Sequence, residues 1–106
     1  MAYQIKDMED LQGQLSAAGD NLVVLCVWRG SCLMIRAALL PKFEQMAREM
    51  SNVVFLKVDG DEAEDAAEKY NISAFLTFVF LKKGQKIADL VGAHTDELTE
   101  LVNKHA

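Results

Sequence analysis

The chain has 106 residues, of which 51% are apolar and 25% charged, and its formal net charge is -5 at pH 7. This length is typical of one domain, spanning residues 1–106, and the apolar content excludes an intrinsically disordered chain. The negative charge argues against nucleic acid and anionic membranes as partners, because both bind positively charged surfaces. No window reaches the roughly 18 apolar residues that a membrane span needs.

The first ten residues, MAYQIKDMED, contain no basic stretch followed by an apolar run. We therefore expect no secretory signal. Without one, the two cysteines, Cys26 and Cys32, are expected in a reducing compartment, where structural disulfides are unusual. We predict a cytoplasmic location, and a nuclear one is also compatible with the sequence.

The first quarter of the chain predicts a strand, a helix and a second strand. Residues 3–5 are a short strand candidate, and Asp7 is expected to cap a helix that ends at Gly19. Residues 22–27 form a continuous apolar run of strand length. Such a run is typical of a strand that is buried on both faces of a sheet.

The middle of the chain continues this alternation. Apolar residues over 32–50 recur at three- and four-residue spacing, which predicts a long amphipathic helix. Pro41 interrupts that helix and is expected to kink it. Residues 52–58 predict a second buried strand, and residues 61–70 a short acidic helix.

The last third predicts a hairpin followed by a helix. Residues 77–81 and 86–91 are strand candidates joined by a turn around Gly84, and Thr95 is expected to cap the final helix. Alternating strands and helices require parallel strands, whereas the hairpin requires an antiparallel pair. We predict an α/β protein with a mixed central β-sheet flanked by helices on both faces.

Over nearly its whole length the sequence resembles the small cytosolic thioredoxins. The stretches that carry the resemblance are NVVFLKVDGDE, YNIS and TFVFLKKGQK, together with MAYQIKDMEDLQGQL and the glycine at position 92. The resemblance implies the thioredoxin fold. It is weakest over residues 25–41, where thioredoxins carry the redox loop Trp-Cys-Gly-Pro-Cys.

The alignment that we favour for this loop keeps a Trp-x-Gly-x-Cys match. Trp28, Gly30 and Cys32 then correspond to family residues. Arg29 replaces the first cysteine and Ser31 replaces the proline, which gives WRGSC, a degenerate form of the motif. In this alignment Cys32 occupies the position of the second, resolving cysteine.

The favoured alignment changes the spacing on both sides of the loop. It shortens the preceding strand by two residues and puts Pro41 nine residues after Cys32, where the family has five. A second alignment, fixed on the strand and on Pro41, needs one inserted residue. We expect that second alignment to place Cys32 away from the active position.

Dithiol exchange needs an attacking thiolate and a second thiol that resolves the mixed disulfide. The family also uses a buried aspartate and a cis-proline loop, and the resemblance places these at Leu25 and Leu76. A non-proline cis bond costs ~3 kcal/mol, so the peptide bond before Leu76 is expected to be trans. With all four features altered, we expect dithiol oxidoreductase activity to be lost.

Three interpretations of the cysteines stay open. Both Cys26 and Cys32 are buried apolar residues, as free cysteines often are. Alternatively, Cys32 is a monothiol whose pKa is lowered by a helix N-terminus and by Arg29. A Cys26–Cys32 disulfide is the third interpretation.

The leading hypothesis is a non-catalytic protein that binds a partner protein, or itself, through the former active-site end. The alternative is a monothiol redox protein that uses Cys32. No cofactor or metal site is expected, and no contact with nucleic acid or membrane. The predicted binding surface consists of Trp28, Arg29, Gly30, Ser31, Leu33, Phe75 and Leu76.

Lys57 lies between apolar neighbours on a predicted central strand. In the thioredoxin pattern the matching lysine lies near the buried aspartate, which here corresponds to Leu25. An unpaired ammonium in an apolar interior costs several kcal/mol. We therefore expect Lys57 to reach another acid, to titrate low or to reach solvent, and we favour an outlet to solvent through the altered loop.

Overall fold

A computed structural model describes residues 2–30, 33–70 and 75–106, and it does not describe the side chains of residues 33–36. In the described part of the chain, strands and helices follow one another in the predicted order. The strands are β1 (Tyr3–Gln4), β2 (Leu22–Trp28), β3 (Val53–Asp59), β4 (Leu76–Lys82) and β5 (Gln85–Val91). The helices are α1 (Met8–Ala18), α2 (Leu33–Glu49), α3 (Glu64–Glu68) and α4 (Thr95–His105).

The strands form one mixed sheet in the order β1-β3-β2-β4-β5. Strand β2 lies at its centre, parallel to β3 and antiparallel to β4. Strands β4 and β5 form the predicted antiparallel hairpin. The mixed sheet, the buried position of β3 and the hairpin are therefore confirmed.

Residues alternate along the central strands between two apolar cores, one on each face of the sheet. Helices α2 and α4 cover one face, where Phe43 and Leu98 pack against Phe78. Helices α1 and α3 cover the other, where Leu11 and Ala66 belong to the second core. The prediction of helices on both faces is confirmed.

Local signals set the ends of helix α1 as predicted. The Asp7 carboxylate accepts a hydrogen bond from the Asp10 N–H at 2.8 Å, and Gly19 ends the helix with a φ of 59°. The expected cap at Thr95 is wrong. His94 is the N-cap of α4, because its carbonyl accepts the first helical hydrogen bond, from Leu98 N–H at 2.9 Å.

Helix α2 continues through Pro41, and its observed bounds are close to the predicted 32–50. The bounds of α3 differ more from the sequence pattern. Helix α3 has five residues instead of the predicted ten, because the chain after β3 first makes a turn in which the Ala63 N–H donates to the Asp59 carbonyl at 2.8 Å. Among the described residues, no helix is long and apolar enough to cross a membrane.

Candidate functional site

We define the loop end as the end of the sheet where β2, β3 and β5 finish and β4 begins. Its described segments are residues 28–30, 59–62, 75–76 and 91–92. Backbone hydrogen bonds join these segments into one surface: Arg29 N–H to the Phe75 carbonyl (2.9 Å), Gly60 N–H to the Trp28 carbonyl (2.7 Å) and Gly92 N–H to the Leu76 carbonyl (3.0 Å).

Gly30 links an acidic and an aromatic side chain at the loop end. Its φ of 78° is a conformation that favours glycine. Its N–H donates to the Asp61 carboxylate at 2.9 Å, and the Phe75 ring lies 3.4 Å from where a Cβ on Gly30 would stand. The Phe75 ring is 67% exposed, so this contact leaves most of it open to solvent.

Trp28 and Leu76, two residues of the predicted binding surface, are buried in this chain. Trp28 is the last residue of β2, pairs with Asp59 and Leu76, and is 6% exposed. Leu76 is 2% exposed in the same core. Both side chains are inward-facing residues of central strands, in the core that α2 and α4 cover.

The other predicted surface residues divide into two groups. Arg29, Gly30 and Phe75 lie together at the loop end, as the hydrogen bonds above describe. Ser31 and Cys32, and the side chain of Leu33, lie outside the described part of the structure.

Sequence reasoning missed Val91 as a surface residue. It is 57% exposed at the end of β5, where it pairs with Thr77 of β4. Strand β5 is at the edge of the sheet, and its residues alternate between the α4 side and a side that no described helix covers. The alternation was visible in the sequence, but the uncovered face was not.

The placement of Trp28 also decides between the two alignments of the loop. All seven residues of β2, including Trp28, pair in one register with β3. The favoured alignment shortens this strand by two residues and puts Trp28 in the redox loop. Because Trp28 is a strand residue, that alignment is wrong.

The register of β2 with β3 also places Cys26, and not the expected Leu25, opposite Lys57. Cys26 pairs with Lys57, whereas Leu25 pairs with Leu56 and packs in the core on the other face. Paired neighbours on adjacent strands point to the same face of a sheet. Cys26 therefore occupies the place that the resemblance assigns to the buried aspartate.

Cys26 is a free thiol in the middle of the sheet, between Lys57 of β3 and Phe78 of β4. It is 0% exposed. Burial raises the pKa of the thiol to about 12, and the positive charge of Lys57 opposes part of that rise. The interpretation of Cys26 as a small buried apolar residue is confirmed.

Lys57 has an acidic partner on helix α2. Its ammonium lies 3.5 Å from Oε1 of Glu44, and the two side chains are 21% and 24% exposed. That oxygen is buried and accepts no hydrogen bond from the described residues, so the contact is an ion pair at the long end of the range. Lys57 thus has both an acidic partner and partial exposure, two of the outcomes that we considered.

A cavity of about 570 Å³ lies away from the loop end, beside the N-terminal half of β3. Side chains of β1, α1 and α2 line it, including Tyr3, Gln14 and Arg48. The candidate site rests on exposed side chains at the loop end and not on this cavity.

A family model described as Thioredoxin matches residues 5–104. The chain belongs to the thioredoxin family. It is 41% identical over 110 residues to thioredoxin-T of Drosophila melanogaster, covering all of this chain and 68% of that protein. It is 38% identical over 107 residues to human thioredoxin, covering 98% of each chain.

Solved structures agree with this assignment. The X-ray structure of Fasciola hepatica thioredoxin matches with a TM-score of 0.92 at 33% identity, over 98% of this chain and 99% of that one. The predicted thioredoxin fold is therefore confirmed. The peptide bond between Phe75 and Leu76, at the family's cis-proline position, is trans as predicted.

Proposed function

We propose that this thioredoxin-family protein has lost dithiol exchange and works by binding a partner protein through the loop end. The burial of Cys26 carries this proposal. The sequence contains two cysteines, and Cys26 is paired on both sides in the central strand. Its sulfur cannot reach a substrate, or resolve a disulfide formed at Cys32, unless β2 leaves the sheet.

The exposed side chains at the loop end support a binding role. Phe75 and Val91 are 67% and 57% exposed, and Gly92 holds the end of β5 beside Leu76. Exposed apolar side chains that cluster at one end of a domain often mark a site for a protein partner. Arg29 and Gly30 border this cluster and complete the described part of the proposed surface.

A specific observation favours a second candidate, monothiol exchange at Cys32. With β2 at full length, the alignment fixed on the strand and on Pro41 is the one that remains. The family's second cysteine precedes its proline by five residues, so with the one inserted residue placed between that position and Pro41 the second cysteine corresponds to Ile35. The first cysteine lies three residues earlier, at Cys32, which reverses our expectation that this alignment moves Cys32 away from the active position.

In the monothiol candidate, the Cys32 thiolate attacks a disulfide of a partner protein. One partner sulfur becomes bonded to Cys32 and the other leaves as a thiolate. With Ile35 in place of a resolving cysteine, release requires two molecules of an external thiol such as glutathione. The first displaces the partner as a thiol, and the second frees Cys32 and forms the oxidised external disulfide.

Insulin reduction tests the loss of dithiol exchange. With thioredoxin reductase and NADPH, we expect turnover close to the background without protein, because a mixed disulfide at Cys32 has no internal thiol to resolve it. The matched control is the Cys32→Ser variant, which we expect to be as inactive as the parent. Turnover near that of a dithiol thioredoxin, lost in Cys32→Ser, contradicts the proposal.

The rate of iodoacetamide alkylation against pH separates the two candidates. In the monothiol candidate Cys32 reacts with a pKa clearly below the unperturbed value of about 8.5. The Cys26→Ala variant should give the same curve, because Cys26 is buried and its pKa is raised to about 12. A Cys32 pKa at or above about 8.5 removes the basis of the monothiol candidate and leaves partner binding.

The partner is either another protein or a second copy of this chain, and we propose that the protein acts in the cytoplasm. The free thiol at Cys26 is compatible with such a reducing compartment. Sedimentation over a range of concentrations separates self-association from a monomer that binds another protein. Cell fractionation tests the location, and recovery in a secreted fraction contradicts it.

A further inference from the structure

The surface charge of the molecule is divided between its two ends. Acidic residues predominate around the loop end, and lysines around the opposite end, where β4 turns into β5 and α4 finishes. The exposed or half-buried acids of the loop end are Asp59, Asp61, Glu62, Glu64, Asp96 and Glu97. Basic residues described near that end are Lys6, Arg29 and Lys69. The opposite end has Lys82, Lys83, Lys86 and Lys104 together with the acid Asp20, and Lys86 pairs with Asp89 at 2.7 Å.

On one flank, acidic side chains lie directly beside the exposed aromatic ring. Asp61 accepts the Gly30 N–H at 2.9 Å, and Gly30 lies against the Phe75 ring. The adjoining Glu62 is exposed. The apolar ring and the acidic side chain are therefore separated by a single glycine.

The other flank of the apolar cluster is also acidic. Val91 and Gly92 are followed within a few residues by α4, whose first turn contains Asp96 and Glu97. Both acids are exposed. Helix α4 packs on the face of the sheet that Leu90 contacts, opposite to the exposed side chain of Val91, so these two acids border the loop end from that other face.

We propose that the partner segment at the loop end has lysine or arginine on both sides of an apolar side chain. The apolar side chain covers Phe75 and Val91, and the cations approach Glu62 on one flank and Glu97 on the other. Opposite charges around a binding site raise the association rate and exclude partners of like charge. The inference rests on the proposed function, because it names the class of partner for that same surface.

Three synthetic peptides test the proposal. They share one apolar core and differ in the flanking residues, which are lysine, serine or glutamate. Binding to the 106-residue chain is measured by NMR chemical-shift titration at low ionic strength. We expect the affinity order lysine, serine, glutamate, with shifts centred on Phe75 and Val91. We also expect the lysine peptide to lose its advantage at high salt, because salt screens exposed charges.

Charge-reversal variants locate the effect. Glu62→Lys and Glu97→Lys should each weaken the lysine peptide about threefold and leave the serine peptide unchanged. The matched control is Asp20→Lys, which makes the same charge change at an exposed turn at the opposite end and should have no effect. Phe75→Ala should weaken both peptides.

The outcomes separate this inference from the proposed function. If the serine and glutamate peptides bind as tightly as the lysine peptide, and binding depends on Phe75, the inference is overturned while loop-end binding stands. It is equally overturned if Asp20→Lys weakens the lysine peptide as much as Glu62→Lys does. If no peptide binds, and Phe75→Ala leaves the recovery of a native partner unchanged, the proposed function fails with it.

Discussion

The middle of β2 and the loop end differ in how the molecule accommodates an unusual residue. At the middle of β2, Cys26 takes the place of a buried aspartate and is enclosed between Lys57 and Phe78. At the loop end, Phe75 precedes the position of the family's proline and its ring is 67% exposed. Cys26 is absorbed by the core and leaves the fold intact, whereas Phe75 stays on the surface that we propose for a partner.

The middle of β2 keeps the family's backbone structure although the chemistry of one side chain differs. The backbone matches a solved thioredoxin with a TM-score of 0.92, although a thiol stands where the family has a carboxylate. A thiol and a carboxyl group are similar in size but not in their acid–base behaviour. The strand can therefore keep its packing although the two groups differ in acid–base behaviour.

The largest expected effect is the difference in stability between the alanine variants of two phenylalanines, one in each region. Phe78 is fully buried, with its ring centroid 6.0 Å from that of Phe43, so Phe78→Ala should lower the free energy of unfolding by about 3–5 kcal/mol. Phe75→Ala should change it by less than about 0.5 kcal/mol, because the ring is mostly exposed. Urea denaturation measures both. A similar loss for the two variants breaks the distinction between core and surface.

The next largest expected effect is a loss of stability at high pH that comes from Cys26 in the middle of β2. The pKa of Cys26 is raised from 9.0 to about 12 by burial, so above about pH 9 the unfolded chain releases a proton that the folded chain retains. The stability from this group is present below pH 9 and falls by about 1.4 kcal/mol per pH unit as pH rises towards 12. By pH 11 the loss is about 2–3 kcal/mol.

The Cys26→Ala variant is the control for this pH effect. It is expected to lack this component of the alkaline loss while keeping the components from tyrosine and lysine. The measurement is the free energy of unfolding in urea at several values between pH 8 and pH 11. Parallel curves for the parent and the variant contradict a buried thiol of high pKa.

The sequence predicted the frame of the molecule well because the frame depends on short-range patterns. The apolar runs at 22–27 and 52–58 and the periodicity over 32–50 each identified an element, with bounds that differ by at most one residue. Helix α3 was overestimated, because acidic residues suit a turn as well as a helix.

The candidate site was predicted less well because it depends on register. Trp28 is apolar and suits either the end of a strand or a loop, and matching one motif moved it into the loop. The same alignment placed Leu25 opposite Lys57, where the structure has Cys26. The signal that could have prevented the error is that the apolar run continues without a break through Trp28.

Alanine substitution of a glycine tests how closely the backbone is packed at the loop end. A Cβ on Gly60 would lie 2.9 Å from the Trp28 carbonyl oxygen and 2.7 Å from Cγ of Arg29, closer than such atoms approach in proteins. The backbone oxygen cannot move away without loss of its hydrogen bond from Gly60 N–H. Gly60→Ala should therefore destabilise the fold by about 1–3 kcal/mol.

Gly13 is the matched control for Gly60. It lies in helix α1, and no atom is within 4 Å of where its Cβ would stand. Gly13→Ala should raise the free energy of unfolding by about 0.5–1 kcal/mol, because alanine restricts the unfolded chain and favours a helix. Both variants are compared by thermal and urea denaturation. Equal effects at the two positions refute the close contact at the loop end.

The smallest expected effect concerns Lys57 and Glu44, which lie on the same face of the sheet as Cys26. At 3.5 Å and about one-fifth to one-quarter exposed, this ion pair is worth about 0.5–1 kcal/mol. Lys57→Met should destabilise the protein by about 1 kcal/mol, because it leaves the buried Glu44 oxygen without its cation. Glu44→Gln should have a smaller effect, since Lys57 retains access to solvent.

A double-mutant cycle with Lys57→Met and Glu44→Gln isolates the energy of the pair from the rest of each change. A coupling of about 0.5–1 kcal/mol that decreases in high salt identifies an ion pair as the source. If Lys57→Met instead stabilises the protein and the coupling is zero, Lys57 is a buried cation without an effective partner. In that case Glu44 does not replace the carboxylate that the resemblance places opposite Lys57, and the charge of Lys57 acts on the paired thiol of Cys26, whose pKa it lowers.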